Sequence, residues 1–231
     1  MNELIKEQIE LIRQRIAQAA RKSGRPASDV RLMAVTKTVE DRRIMEAIAA
    51  GVDMLGENYV QEARRKIDLM GKSIAWHLIG HLQTNKAKYA VRLFNMIHSL
   101  DRMELALELD KRSRMAGVVT SVLVEVNISG EETKRGVAHR DALALIREVS
   151  KLEHLSIQGL MTMPPWFDDP EEARPVFAAL RDLRDRVARE KFPHVEMREL
   201  SMGMSQDYEV AVEEGATIVR LGRSIFGERS A

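Results

Sequence analysis

Lys37 closes the run A-V-T-K-T (34–38), directly behind an apolar stretch rich in β-formers. An amine at the rim of an apolar strand is poorly solvated, which favours its neutral form and frees it to make an imine with a carbonyl compound. A lysine at the start of a loop can equally point into water, and position alone leaves both readings open. Two further segments bear on the choice. L-S-M-G-M-S (200–205) offers Gly203, where backbone can approach a ligand, and the hydroxyls of Ser201 and Ser205 ahead of a predicted helix. Alternatively, Ser205 serves only as that helix's N-cap. V-R-L-G-R-S (219–224) supplies Gly222 and Arg223, with Arg220 as a second cation. An imine-forming lysine facing a phosphate cradle would suit a phosphorylated aldehyde cofactor or a phosphorylated carbonyl substrate.

Those residues need a scaffold that brings them to one face. Ile5, Ile9, Ile12, Ile16 and Ala19 follow a helical period, predicting a helix that ends near Gly24. Strands are predicted at 30–36, 53–58, 75–79, 96–100, 120–126, 157–163, 196–200 and 217–221, with helical stretches between them. Gly51, Gly71, Gly117 and Gly215 fall where such helices must stop. Apolar strands, each followed by a helix, predict a parallel sheet covered on its outside. Eight units in a chain of 231 residues favour closure into a (β/α)₈ TIM barrel, read as a single domain over 1–231 with an N-terminal helix. The last strand leaves ten residues before the C-terminus, too few for a full eighth helix, so the N-terminal helix is expected to cover that part of the ring.

The functional face of such barrels is the C-terminal end of the strands. Strand ends here carry Lys37, Asn58, Gly80 with His81, Ser99, Asn127, Met161 with Met163, the group Ser201, Met202 and Gly203, and Arg220 with Gly222. The loops after strands seven and eight are where barrels of this type bind phosphate, and both candidate cradles fall there.

Composition narrows the classes. Thirty-six basic residues oppose thirty-five acidic ones, so charge gives no general reason to bind nucleic acid or an acidic membrane. Without cysteine there is no disulfide, thiolate nucleophile or Cys-ligated metal, and the cytoplasm is the expected compartment. Glu3, Glu7 and Glu10 interrupt the N-terminal segment, unlike a signal or transit peptide.

At these same residues the chain resembles the pyridoxal-phosphate homeostasis proteins, a family related to the barrel domain of alanine racemase. The resemblance rests on A-V-T-K-T (34–38), G-E-N-Y-V-Q-E (56–62), W-H-L-I-G-H-L-Q-T-N-K (76–86), V-N-I-S-G-E-E-T-K-R-G (126–136), G-L-M-T-M (159–163), L-S-M-G-M-S-Q-D-Y (200–208) and V-R-L-G-R-S-I-F-G-E-R (219–229), in order along nearly the whole chain. It implies an alanine-racemase-type barrel without the C-terminal β domain, which carries pyridoxal 5′-phosphate as an internal aldimine on Lys37 rather than turning over substrate. It further implies that Ser201, Met202, Ser205, Gly222 and Arg223 surround the phosphate, that Asn58 and Met161 line the ring, and that Arg220 lies toward the pyridine nitrogen. A permanent cation there keeps that nitrogen unprotonated and makes the ring a poorer electron sink. Expected partners are the cofactor and pyridoxal-phosphate-dependent apo-enzymes, and the expected state is a monomer. Family members often place a second lysine and a proline just behind the Schiff-base lysine. Here Thr38, Val39 and Glu40 follow, so no role of that neighbour carries over. Lys134 is left as a second amine, or as a solvated loop charge.

The same residues admit three rival readings. An amino-acid racemase needs proton donors on both faces of its intermediate, and only Lys37 is evident, which leaves at most a weak activity. A Schiff-base aldolase or other lyase needs an acid/base near Lys37, for which strand ends offer His81 and Glu57. His77 and His81 have the spacing H-x-x-x-H, but on a strand they stand about 13 Å apart and cannot share a metal, so packed or surface histidines are expected. The loop Pro164-Pro165-Trp166-Phe167 would lid the site, present an apolar patch to a partner, or pack on its own barrel.

Overall fold

The computed structural model describes residues 3–131 and 133–227. Eight parallel strands form its centre: β1 (Arg31–Val35), β2 (Met54–Glu57), β3 (Ala75–Leu78), β4 (Met96–Leu100), β5 (Thr120–Asn127), β6 (Leu155–Met161), β7 (Val195–Ser201) and β8 (Ile218–Leu221). Each pairs with the next, and β8 returns to pair in parallel with β1, Met33 opposite Arg220, so the sheet closes on itself. A two-residue strand, Val137–Ala138, adds to β5 on the loop side. This is the (β/α)₈ barrel the alternating pattern predicts.

Helices α1 (Glu3–Lys22), α2 (Asp41–Ala49), α3 (Val60–Met70), α4 (Ala87–Leu93), α5 (Met103–Ala116), α6 (His139–Val149), α7 (Arg174–Glu190), α8 (Tyr208–Glu213) and α9 (Arg223–Phe226) surround the barrel. The predicted face of α1 is buried at Ile5, Ile9, Ile12, Ile16 and Ala19, and it packs on α2, α8 and α9, over the seam where β8 meets β1. Arg13 donates to the carbonyl of Gly51 at 2.7 Å, tying α1 to the end of α2. Helix α5 stops because Gly117 takes the left-handed conformation (φ 67°, ψ 32°), which returns the Val118 N–H to the Ser113 carbonyl at 3.1 Å.

Two apolar regions follow from the two faces of each strand. Outward residues such as Leu32, Ala34, Trp76, Val122, Val124 and Val219 join the helices in one large core. Inside the barrel, Met33, Met54 and Ile218 fill only one layer. Above them the interior turns polar, at His77, His98, Glu125, Ser201 and Arg220, all buried. Among the described residues no helix is long and apolar enough to cross a membrane.

Candidate binding site at the barrel mouth

The C-terminal strand ends surround a cavity of about 710 Å³, within the range of pockets that enclose a small ligand. Six of the expected residues line it: Lys37, Asn58, Ser205, Arg220, Gly222 and Arg223. Lys37 is half-buried in the turn that leaves β1. Met161, Ser201 and Met202 are fully buried and do not line the cavity. The Met202 N–H is committed to the Ile218 carbonyl at 3.1 Å.

The two cradles are joined to each other. Ser205 Oγ accepts the Ser224 N–H at 3.2 Å, and Ser224 Oγ donates to the Ser205 carbonyl at 3.4 Å. Ser205 is therefore a cross-brace between the loops after β7 and β8, not a helix N-cap. The helix starts at Tyr208 with Asp207 in the N-cap position, two residues later than an N-cap at Ser205 would set it. Residues 204–207 form a separate turn instead, closed where the Asp207 carboxylate accepts the Met204 N–H at 2.6 Å. Gly203 has φ +92°, and a Cβ there would lie 2.7 Å from Ala211 Cβ. Its smallness serves the packing of α8 under the loop rather than the approach of a ligand.

Arg220 forms the floor. Its guanidinium donates to the Ser201 carbonyl at 2.5 Å, to Ser201 Oγ at 2.8 Å and to the Thr162 carbonyl at 2.9 Å. Burial pulls its pKa down to about 10, partly offset by Asp207 and Glu125, so it stays charged at neutral pH. Ser201 Oγ lies 3.0 Å from His98 Nδ1, and His98 Nε2 lies 2.8 Å from His77 Nδ1. Since Arg220 donates to Ser201, the serine proton is left for His98 Nδ1; His98 then carries its proton on Nε2 and donates to His77. Burial holds both rings neutral, His77 down at about 3 and His98 well below the ordinary histidine range. The strand periodicity gave no sign of this chain, because its members lie on β3, β4, β7 and β8 at unrelated sequence separations.

Glu125 also lines the cavity and went unnoticed in the sequence. Burial, with Asp101 nearby, pushes its carboxyl up to about 7, against the pull of Arg220 and Arg135. His81 stands at the mouth, 3.8 Å from Asp101, with its pKa lowered by burial and Arg135. His77 and His81 thus serve different places, and among the described residues no group of three or more ligating side chains could hold a metal. Lys134 and Arg135 reach the same cavity from the loop after β5; Glu132 of that loop, and the last two residues of the 219–229 motif, lie outside the described residues. The loop 164–167 forms one wall. Gln206 donates to the Phe167 carbonyl at 2.7 Å, and the Arg223 guanidinium lies 5.3 Å from the Trp166 ring centre. Trp166 remains 64% exposed, so the loop is anchored by its backbone and by Phe167, which packs against the core, rather than by burial of the indole.

A primary amine on one wall, with Arg223, Ser205 and Gly222 on another, fits a phosphorylated carbonyl compound better than a neutral or cationic ligand. A closed barrel with this donor set is an alanine-racemase-type binding barrel. The alanine racemase N-terminal domain family matches residues 8–230. A pyridoxal phosphate homeostasis protein of Aquifex aeolicus is 45% identical over 96% of this chain and 97% of its own. The chain belongs to this family and, within it, to the pyridoxal phosphate homeostasis proteins. The structure of PipY from Synechococcus elongatus with pyridoxal phosphate bound superposes with a TM-score of 0.84, at 35% identity over 96% of this chain and all of PipY. Alanine racemase from Corynebacterium glutamicum shares the fold at 16% identity, with a TM-score of 0.75.

Proposed function

We propose that this chain binds pyridoxal 5′-phosphate at the barrel mouth and holds it for cellular homeostasis, as a carrier rather than a broad-specificity enzyme. The observation that carries the reading is the placement of Lys37 on the same cavity as Ser205, Gly222 and Arg223. Lys37 would hold the cofactor through its amine, which can form a C=N bond with an aldehyde carbon with loss of water. Arg223, Ser205 and the turn at Gly222 would hold the phosphate, with Asn58 and Arg220 toward the ring. When bound, the cofactor supplies an electron-withdrawing ring conjugated to that bond, and a fixed cation at its nitrogen weakens the withdrawal. Recipients of the cofactor in this reading are pyridoxal-phosphate-dependent apo-enzymes of the cytoplasm, reached by a monomer.

The test adds pyridoxal 5′-phosphate to apo-protein, follows the visible absorption band, reduces with borohydride and maps the pyridoxyl mass. One adduct at position 37, absent from Lys37→Ala, is expected. A full-yield adduct elsewhere overturns the assignment.

A second reading has one observation in its favour: Glu125 places an acid that titrates near neutrality in the same cavity. It would support a slow proton-transfer side reaction on a bound amino acid. Slow racemisation by the loaded wild type that disappears in Glu125→Gln would favour it.

A further inference from the structure

A buried ion cluster around Lys66 grips the backbone on both sides of Lys37. Lys66, on α3, is fully buried and spends its three N–H bonds on the Thr36 carbonyl at 2.6 Å, Glu57 Oε1 at 2.7 Å and Glu62 Oε1 at 2.8 Å. Thr36 precedes Lys37, and its hydroxyl also donates to Glu57 Oε1 at 2.6 Å. Thr38 follows Lys37, and its N–H donates to Glu62 Oε1 at 2.7 Å. The peptide before the lysine and the peptide after it therefore end on the same ion cluster.

Thr38 shows why a grip is needed. Its φ is +61°, in the left-handed region that a β-branched residue avoids. Such a conformation persists only where neighbouring structure enforces it. Here α3 does so through Glu62, and α3 is itself tied to the start of α2 by the two-pronged Arg65–Asp41 pair at 2.6 and 2.7 Å. If the Thr38 N–H lost its acceptor, the turn would relax and swing the Lys37 side chain away from its present line.

Stability alone does not account for such a cluster. Buried ions are costly to desolvate, and apolar replacements of similar volume often do as well. Glu57 shows that cost: burial raises its carboxyl pKa against the pull of Lys66 and Thr36, and its second oxygen has no partner. What the cluster does supply is a fixed geometry for one turn.

We infer that Lys66 and Glu62, with Glu57, are positioning residues that hold the Lys37 amine in line with the carbonyl it captures. The inference rests on the binding mode proposed above, and the test separates the two. Two probes are used: pyridoxal 5′-phosphate, and pyridoxine 5′-phosphate, whose alcohol cannot bond to an amine. Glu62→Ala should bind pyridoxine 5′-phosphate as wild type does, yet capture pyridoxal 5′-phosphate at position 37 about tenfold more slowly. Glu62→Gln keeps an oxygen for the Thr38 N–H and should recover most of that rate. Lys66→Met should follow Glu62→Ala, and the milder Glu62 variant decides the matter if Lys66→Met fails to fold. Unchanged capture in Glu62→Ala, or equal weakening toward both probes, overturns the positioning role while wild type still gives the Lys37 adduct. If wild type gives no adduct at Lys37, the binding mode falls and this inference falls with it.

Discussion

Acid should unfold this protein through its buried histidines, and His77 gives the size of the effect. Its ring is hydrogen-bonded to His98 inside the barrel, and burial with Arg31 nearby drops its pKa from 6.5 to about 3. Below pH 6.5 the unfolded chain takes up a proton at position 77 that the folded chain refuses. The stability contributed by the neutral ring is thus complete above that pH and drains away as pH falls toward about 3. Each pH unit in that window costs about 1.4 kcal/mol, for a total of about 5 kcal/mol at its lower end. His77→Gln keeps a polar side chain facing His98 but cannot be protonated. Urea denaturation, followed by fluorescence of the fully buried Trp76, gives stability at each pH. Between about pH 4 and 6 the slope for His77→Gln should be shallower than wild type by about 1.4 kcal/mol per unit. Parallel profiles would refute the reasoning, because they would mean that His77 takes up its proton equally in both states.

Glu125 should act with the opposite sign. Its folded pKa is raised from 4.5 to about 7, so its contribution is complete below pH 4.5 and is lost as pH rises through about 7. Glu125→Gln imitates the protonated acid; in the same denaturation assay it should match wild type in acid and exceed it above neutrality by up to about 3 kcal/mol. Arg220→Met leaves the Ser201 carbonyl, Ser201 Oγ and the Thr162 carbonyl without their donor. A loss of about 3 kcal/mol in urea titration is expected, and a variant as stable as wild type would show that water replaces the guanidinium.

Much of this architecture was legible because the chain repeats one grammar. Apolar strands, helices with a buried stripe and glycine stops recur often enough to predict the closed barrel, and with it the strand ends that place Lys37, Asn58, Ser205, Gly222 and Arg223 around one mouth. What stayed hidden shares a physical cause: it depends on pairings across strands. His77 and His98 meet over 21 residues and His98 meets Ser201 over 103, separations that no local pattern encodes. Lys66 reads as one more charge on a helical surface, in i,i+4 spacing with Glu62, yet it is completely buried because Glu57 on β2 waits beneath it. The N-cap reading of Ser205 fails for a related reason. A serine before an apolar run is a good N-cap signal, but here its oxygen is taken by the Ser224 N–H from the neighbouring loop.

The polar interior also bears on why a carrier would spend a buried arginine. Three acceptors fix the Arg220 guanidinium, and one of them, Ser201 Oγ, is held in turn by neutral His98, which is backed by neutral His77. A carboxylate in that place could take up or release a proton as the ring's electron demand changed. Arg220, with a pKa of about 10, cannot do so near neutrality. In the proposed binding mode the ring nitrogen therefore faces a charge that neither moves nor titrates, and electron withdrawal stays weak whatever amine arrives. Glu125, on the same cavity, is the group that can change its charge. In that mode the barrel would separate a fixed cation that restrains chemistry from a titrating acid that permits it, and the activity of Glu125→Gln relative to wild type measures how far the restraint holds.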